Sequence, residues 1–169
     1  MTAREILVAS TLAIGDRAAA FQISTGPLYD GIVRRLTLVL GDSNEAEDIC
    51  QDAYLRAFRA WDEFDGTDVR GWMYTIALRL AFNQLRRRRR RLLLAHRVQP
   101  APWSDNVDPD LWHALQKLDR RVRAALLMNV LDGYNQREIA RMFDVAEGTV
   151  ASWLSRAKVT LREDLAAGG

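Results

Sequence analysis

The chain has 169 residues, 49% hydrophobic and 27% charged, with a formal net charge of +2, which suits one or two small domains able to bury a core. Cys50 is the single cysteine, so no internal disulfide is possible and a reducing cytoplasm fits. His96 and His113 lie far apart without cysteine partners, and there is no glycine-rich phosphate loop, no legible Ser-His-Asp set and no HExxH string. No metal, cofactor, small-molecule substrate or enzymatic activity is expected.

Taken in chain order, the signals are helical throughout, with no alternation of period two. The apolar stretch Ile6 to Ile14 is too short for a bilayer, which needs about 20 apolar residues, so 1–27 reads as a leader or a helix. Gly26-Pro27 separates it from a helix over about Leu28 to Leu40, which Gly41 ends. Asp42 or Ser43 then caps a helix reaching about Trp61, with Ala46, Ile49, Cys50, Ala53, Tyr54, Ala57 and Phe58 as its apolar stripe. After a polar loop, Asp62 to Asp68, a long helix begins near Val69. Trp72, Met73, Ile76, Ala77, Leu80 and Leu85 form its buried side, which makes Trp72 a core residue.

That helix runs into an unbroken arginine block, Arg86 to Arg91, and no acid lies between Arg79 and Arg97. A concentrated basic patch on a near-neutral chain points to a polyanion partner. Gln99 to Asp110 holds Pro100, Pro102 and Pro109 and reads as an acidic linker. Four helices follow, over about Asp110 to Leu118, Arg120 to Leu131, and a final pair. In that pair Asn135 caps one helix and Glu138 completes the capping box, while Phe143-Asp144-Val145 forms the turn. Val150, Leu154, Ala157 and Leu161 line the second helix, leaving Ser152, Ser155 and Arg156 outside. This is the pattern of a helix-turn-helix, a device for reading the DNA major groove.

Together these strings resemble the two-domain sigma factors of the extracytoplasmic-function (ECF) group. Ala46-Glu-Asp48-Ile-Cys-Gln51, Trp72-Met-Tyr74 and Leu85-Arg86-Arg87-Arg88 resemble their region two; Gly133-Tyr-Asn-Gln-Arg-Glu138-Ile-Ala140 and Gly148-Thr149-Val150-Ala-Ser152 resemble region four. The implied fold is all-α: two small helical domains joined by a flexible linker. The divisions are 1–27, 28–97 for region two, 98–110 for the linker, 111–165 for region four, and a tail, 166–169.

The resemblance implies a cytoplasmic protein that binds core RNA polymerase, directs it to promoter DNA and opens the strands, under the control of a separate anti-sigma factor. A polymerase-independent helix-turn-helix regulator is the alternative. By resemblance, Asp48 and Gln51 contact polymerase; Phe64, Arg79, Asn83 and Arg86 contact the minus-ten element; Arg87 and Arg88 contact phosphates; and Thr149, Ser152 and Arg156 contact the minus-thirty-five element. Relatives often carry asparagine at the position of Arg79 and aspartate at that of Asn83. They commonly have basic residues in place of Ala151 and Trp153, and glycine in place of Asp144. The linker composition further predicts two loosely tethered domains in the free chain.

Overall fold

The structure, a computed structural model, describes residues 15–91 and 108–167. Every regular element among them is helical. Helix α1 covers 15–25; a 3-10 turn, Gly26–Leu28, leads into α2, Tyr29–Leu40. Then come α3, Ser43–Arg59, a second 3-10 turn, Trp61–Glu63, and α4, Val69–Arg91. The later helices are α5, Pro109–Lys117; α6, Arg120–Val130; α7, Gln136–Phe143; and α8, Glu147–Ala167. No helix among the described residues is long and apolar enough to cross a membrane.

Local chemistry sets the boundaries. Gly41 stops α2 with φ of 84°, a left-handed conformation that costs glycine little, and its N–H donates to the Thr37 carbonyl at 2.8 Å. Asp42 then opens α3, accepting from the N–H groups of Asn44 and Glu45. Asp68 opens α4 the same way, accepting from the Gly71 N–H at 2.9 Å. Pro109 corrects the linker reading: it occupies the first turn of α5, where its missing N–H is no loss, and Asp108 caps that turn. The rest of the expected linker and the start of the leader fall outside the described residues.

Helices α2, α3 and α4 form one bundle, closed by α1. Ala46, Ala53 and Ala57 are fully buried on α3, and these small side chains let it lie close to its neighbours. Phe21 of α1 meets Tyr54, Phe58 and Trp61 edge-on at 5.3–6.1 Å. The N-terminal segment is thus part of the bundle from residue 15 onward. In the second bundle α6 is central, touching α2, α7 and α8, and Lys117 of α5 pairs with Asp164 of α8 at 2.9 Å.

The two bundles do not stand apart, contrary to the expectation of loosely tethered domains. One continuous core runs through both. Arg35 of α2 binds Asp132, beyond α6, through two hydrogen bonds of 2.9 and 2.8 Å. Arg70 donates to the Asp132 carbonyl at 2.9 Å and to the Tyr134 hydroxyl at 3.2 Å. Arg123, 2% exposed, donates from α6 to the carbonyls of Leu38 and Val39 at the end of α2. A cation suits a helix C-terminus, whose last carbonyls carry partial negative charge. Burial, with Arg120 nearby, lowers the Arg123 guanidinium to about 10. Gly71 is demanded first by its own helix start, where a Cβ would collide with the capping Asp68 carboxylate, and then by α7, since the same Cβ would stand 2.9 Å from the Met142 methyl.

Candidate polymerase and nucleic-acid surfaces

On α3 the buried alanines face inward, which turns Asp48, Gln51, Asp52 and Leu55 to solvent at i, i+3, i+4 and i+7. Asp52 is engaged by Arg56 one turn on, at 3.2 Å. Asp48 and Gln51 are exposed. Leu55 is 59% exposed among these polar side chains. The sequence reading passed over it, although its position off the apolar stripe was the available signal. A carboxylate, an amide and an uncovered leucine on one face can dock a basic helical surface with an apolar centre.

The loop before α4 is built on aromatic rings. Phe64 stacks on Trp61 at 5.4 Å and 22°, and its other neighbour is Trp72 of α4 at 4.8 Å. Trp72 is therefore half-buried as the support of this platform as well as part of the core margin. Beside the rings lies an open cavity of about 430 Å³ lined by Ser24, Trp61, Phe64, Gly66, Thr67 and Val69. Gly66, at φ of 81°, makes the turn, and Asp65 accepts from both the N–H and the hydroxyl of Thr67 at 3.0 and 2.8 Å. Those two bonds hold the Asp65 carboxyl below its usual range. Arg17 braces the loop from α1, binding Asp62 at 3.0 Å and the Phe58 carbonyl at 2.7 Å, with its guanidinium 4.7 Å over the Phe58 ring. Such a cavity, with one aromatic wall and hydroxyl groups at its rim, has the chemistry to take a planar base.

Along α4, Arg79, Phe82, Asn83 and Arg86 make one stripe at i, i+3, i+4 and i+7. Arg79, Asn83, Arg86 and Arg87 are exposed, and Arg86 donates to the Asn83 side-chain carbonyl at 3.0 Å. Arg88 continues the helix, but its side chain lies outside the described residues. The stripe runs beside the second bundle. Leu78, Arg79, Phe82 and Asn83 form one lip of a crevice of about 100 Å³ whose other lip is Arg121, Met142 and Phe143. Arg121 sits 5.5 Å over the Phe82 ring. Nothing in the local sequence pattern shows this second cation.

The helix-turn-helix is formed by α7 and α8. Asn135 accepts from the Glu138 N–H at 3.0 Å and Glu138 accepts from the Asn135 N–H at 2.7 Å, the full capping box. Asp144 takes the left-handed conformation at φ of 53°, and Val145 donates back to the Ala140 carbonyl at 3.0 Å, which closes the turn. Val150, Leu154 and Ala157 are buried. Ser152, Ser155 and Arg156 are exposed on the outer face, while Thr149, in the first turn, is half-buried. Trp153 is half-buried, edge-on to Phe143 at 5.7 Å. The three surfaces thus sit on separate elements: α3, the loop with α4, and α8.

Two family models match the chain, Sigma-70 region 2 over residues 24–91 and Sigma-70, region 4 over residues 109–161. The ECF RNA polymerase sigma factor SigE of Mycolicibacterium smegmatis is 29% identical, with 91% of this chain aligned; the alignment spans 65% of that protein's length. The RNA polymerase sigma-H factor of Pseudomonas aeruginosa is 27% identical over 89% of this chain and 88% of its own. Among solved structures, the Bartonella quintana sigma factor RpoE, in complex with the anti-sigma factor NepR, shares the fold. Its TM-score is 0.74 at 24% identity, covering 86% of this chain and 96% of that one.

Proposed function

Because the chain belongs to the ECF sigma factors, we propose that it binds core RNA polymerase, directs it to specific promoters and promotes strand opening. It is a non-catalytic initiation subunit and works in the cytoplasm. The region-two domain (28–97) and region-four domain (111–165) divide the labour on either side of the linker (98–110), with α1 lending support to the first. Asp48 and Gln51 dock on polymerase, and Leu55, one turn beyond Gln51, adds an apolar contact. The cavity beside Phe64 receives a base of the minus-ten element, and Arg79, Asn83 and Arg86 hold the strand. Arg87 and Arg88 neutralise phosphates. Thr149, Ser152 and Arg156 meet the minus-thirty-five element, Ser152 and Arg156 from the exposed face of α8. An anti-sigma protein is its regulatory partner, as the structural relative's complex suggests.

The observation that carries this reading is the presence, in one chain, of both an aromatic cavity beside a basic helix and a complete helix-turn-helix. A simple DNA-binding repressor has no use for the first. Flipping a base costs a few kcal/mol, and stacking returns about 1–3 kcal/mol per base, so a strand-opening protein needs such a cavity. The test is run-off transcription with purified core polymerase on genomic fragments. A defined start that requires this chain supports the reading; no start on any template the chain retains would overturn it.

A further inference from the structure

We propose that the cavity beside Phe64 prefers the amino bases, adenine and cytosine, over the keto bases, thymine and guanine, and that Thr67 makes the choice. The inference deepens the promoter reading above and rests on it. Adenine and cytosine carry an exocyclic amino donor where guanine and thymine carry a carbonyl acceptor. A site separates the two classes only if the group it presents is fixed as a donor or as an acceptor. Most hydroxyls are not fixed, because the proton rotates to suit its partner.

Thr67 is an exception. Its hydroxyl donates to Asp65 Oδ1 at 2.8 Å, and its N–H donates to the same oxygen at 3.0 Å. An ionised carboxylate only accepts, so the single hydroxyl proton is spent on Asp65. The same two bonds hold the Asp65 carboxyl below its usual range, which keeps it ionised at neutral pH. Thr67 lines the cavity and Asp65 does not, so the proton is drawn away from the cavity and the oxygen keeps its lone pairs for what enters. That oxygen can accept from an amino group. To a carbonyl it offers nothing, and both acceptors would lose water without gaining a partner. The turn is open and holds the hydroxyl in place: Gly66 takes φ of 81°, a Cβ on it would meet nothing within 4 Å, and the Thr67 N–H bond pins the next residue. The other hydroxyl of the lining belongs to Ser24, exposed near the end of α1. No bond from a described residue fixes it, so it can donate or accept.

The two hydroxyls therefore have different signatures. Ser24 can turn to either class of base, so Ser24→Ala should weaken both alike. Thr67→Val keeps the shape and removes the oxygen, so it should erase the preference. Asp65→Ala frees the hydroxyl proton and should erase it too, whereas Asp65→Asn, whose amide oxygen still accepts, should keep it. The experiment uses holoenzyme reconstituted with core polymerase and a partly unpaired promoter fragment, taken from a start mapped by run-off transcription. Each unpaired position carries in turn 5-methylcytosine or thymine, then adenine or hypoxanthine, pairs of one shape that exchange an amino group for a carbonyl. The expected result is one position at which both amino bases bind about 2- to 13-fold tighter than their keto partners, the equivalent of one hydrogen bond at about 0.5–1.5 kcal/mol. Its loss in Thr67→Val and Asp65→Ala, with retention in Asp65→Asn, assigns the choice to Thr67. Equal binding of the paired bases at every position, a preference that survives Thr67→Val, or one that Ser24→Ala abolishes, overturns the inference and leaves the promoter reading intact. A wild-type chain that starts nowhere with core polymerase would remove the promoter reading itself, and this inference with it.

Discussion

The ring of Phe64 lies 4.8 Å from that of Trp72 at 31°, so the aromatic residue of the loop rests on the helix that follows it. Trp61 lies 5.4 Å from the same ring and 6.0 Å from Trp72, so the three rings form one triangular cluster. A ring held in a cluster with two others is in place before any base arrives, which lowers the ordering cost of stacking. Phe64→Ala should therefore weaken strand opening by about 5- to 150-fold, the equivalent of about 1–3 kcal/mol of stacking, with duplex binding little changed. Phe64→Tyr should retain most of the activity. Permanganate reactivity of unpaired thymines in the holoenzyme complex measures this directly, and equal reactivity for wild type and Phe64→Ala would contradict it.

The α3 face makes a second prediction. On the proposed reading, Asp48→Ala with Gln51→Ala should remove a charge-assisted bond, at about 1.5–3 kcal/mol, and an amide bond, at about 0.5–1.5 kcal/mol, and weaken core binding by tenfold or more. Leu55→Ala should weaken it independently, and Leu55→Ser further. None of these side chains is buried, so melting temperature should barely move. Titration against core polymerase decides; affinities within twofold of wild type would place the docking surface elsewhere.

Third, the basic residues of the two DNA surfaces should differ in kind. Arg86 and Arg87 sit in a run of like charges that cannot all face base edges, so they should act on phosphates. Neutralising both should reduce the salt-dependence slope by about 0.7 for each lost contact on single strands, on cognate and scrambled promoters alike. Arg156, exposed on α8 with its Nε donating to the Ser152 carbonyl at 3.3 Å, is free to swing outward. Arg156→Ala should cost about 1–3 kcal/mol at the cognate upstream element only. Binding of each holoenzyme to both DNAs at two salt concentrations separates the cases, and an equal loss on both sequences would make Arg156 a phosphate contact.

Fourth, Cys50 makes the fold sensitive to alkali. The side chain is fully buried, and burial pushes its thiol from 9.0 up to about 12, with Glu47 and Asp30 adding to the rise. The folded chain therefore holds the proton where the unfolded chain releases it. This contribution is complete below pH 9 and is lost as pH rises toward 12. Cys50→Ala should be the less stable protein at pH 7, because it leaves a small cavity, and the gap in Tm should narrow between pH 9 and 10.5. A constant offset across that range would contradict the assignment.

Several elements were legible in the residues because their causes are local. Gly41, the Asn135–Glu138 box and the turn at Asp144 each depend on chemistry within four or five positions, and the structure shows all three. The burial of Tyr74, Leu78 and Ala81 was not legible. Helix α4 is covered by α2 and α3 on one flank and α7 on another, so its apolar residues do not form a single stripe. The Arg35–Asp132 pair joins positions 97 apart, and no periodicity reports a contact of that range. The same applies to Arg121, whose place beside Asn83 exists only when the bundles meet. At the surfaces, Asp48, Gln51, Arg79 and Ser152 could be picked out because residues off an apolar stripe face water whatever the tertiary arrangement.

The aromatic contacts of α1 set a lower limit on how far the protein can be trimmed. A recombinant fragment cut to the matched segment, 24–91, would retain the loop, α4 and Ser24, but would lack Phe21 and Arg17. Phe21 packs on Trp61, one of the rings that support Phe64, and on Tyr54 and Phe58 of α3, while Arg17 ties down the chain at Phe58 and Asp62. On the proposed reading, such a fragment should offer a base a looser receptacle, and weaker single-strand binding by it would reflect where it was cut. Fragments for biophysical work on this half of the protein should therefore begin no later than residue 15.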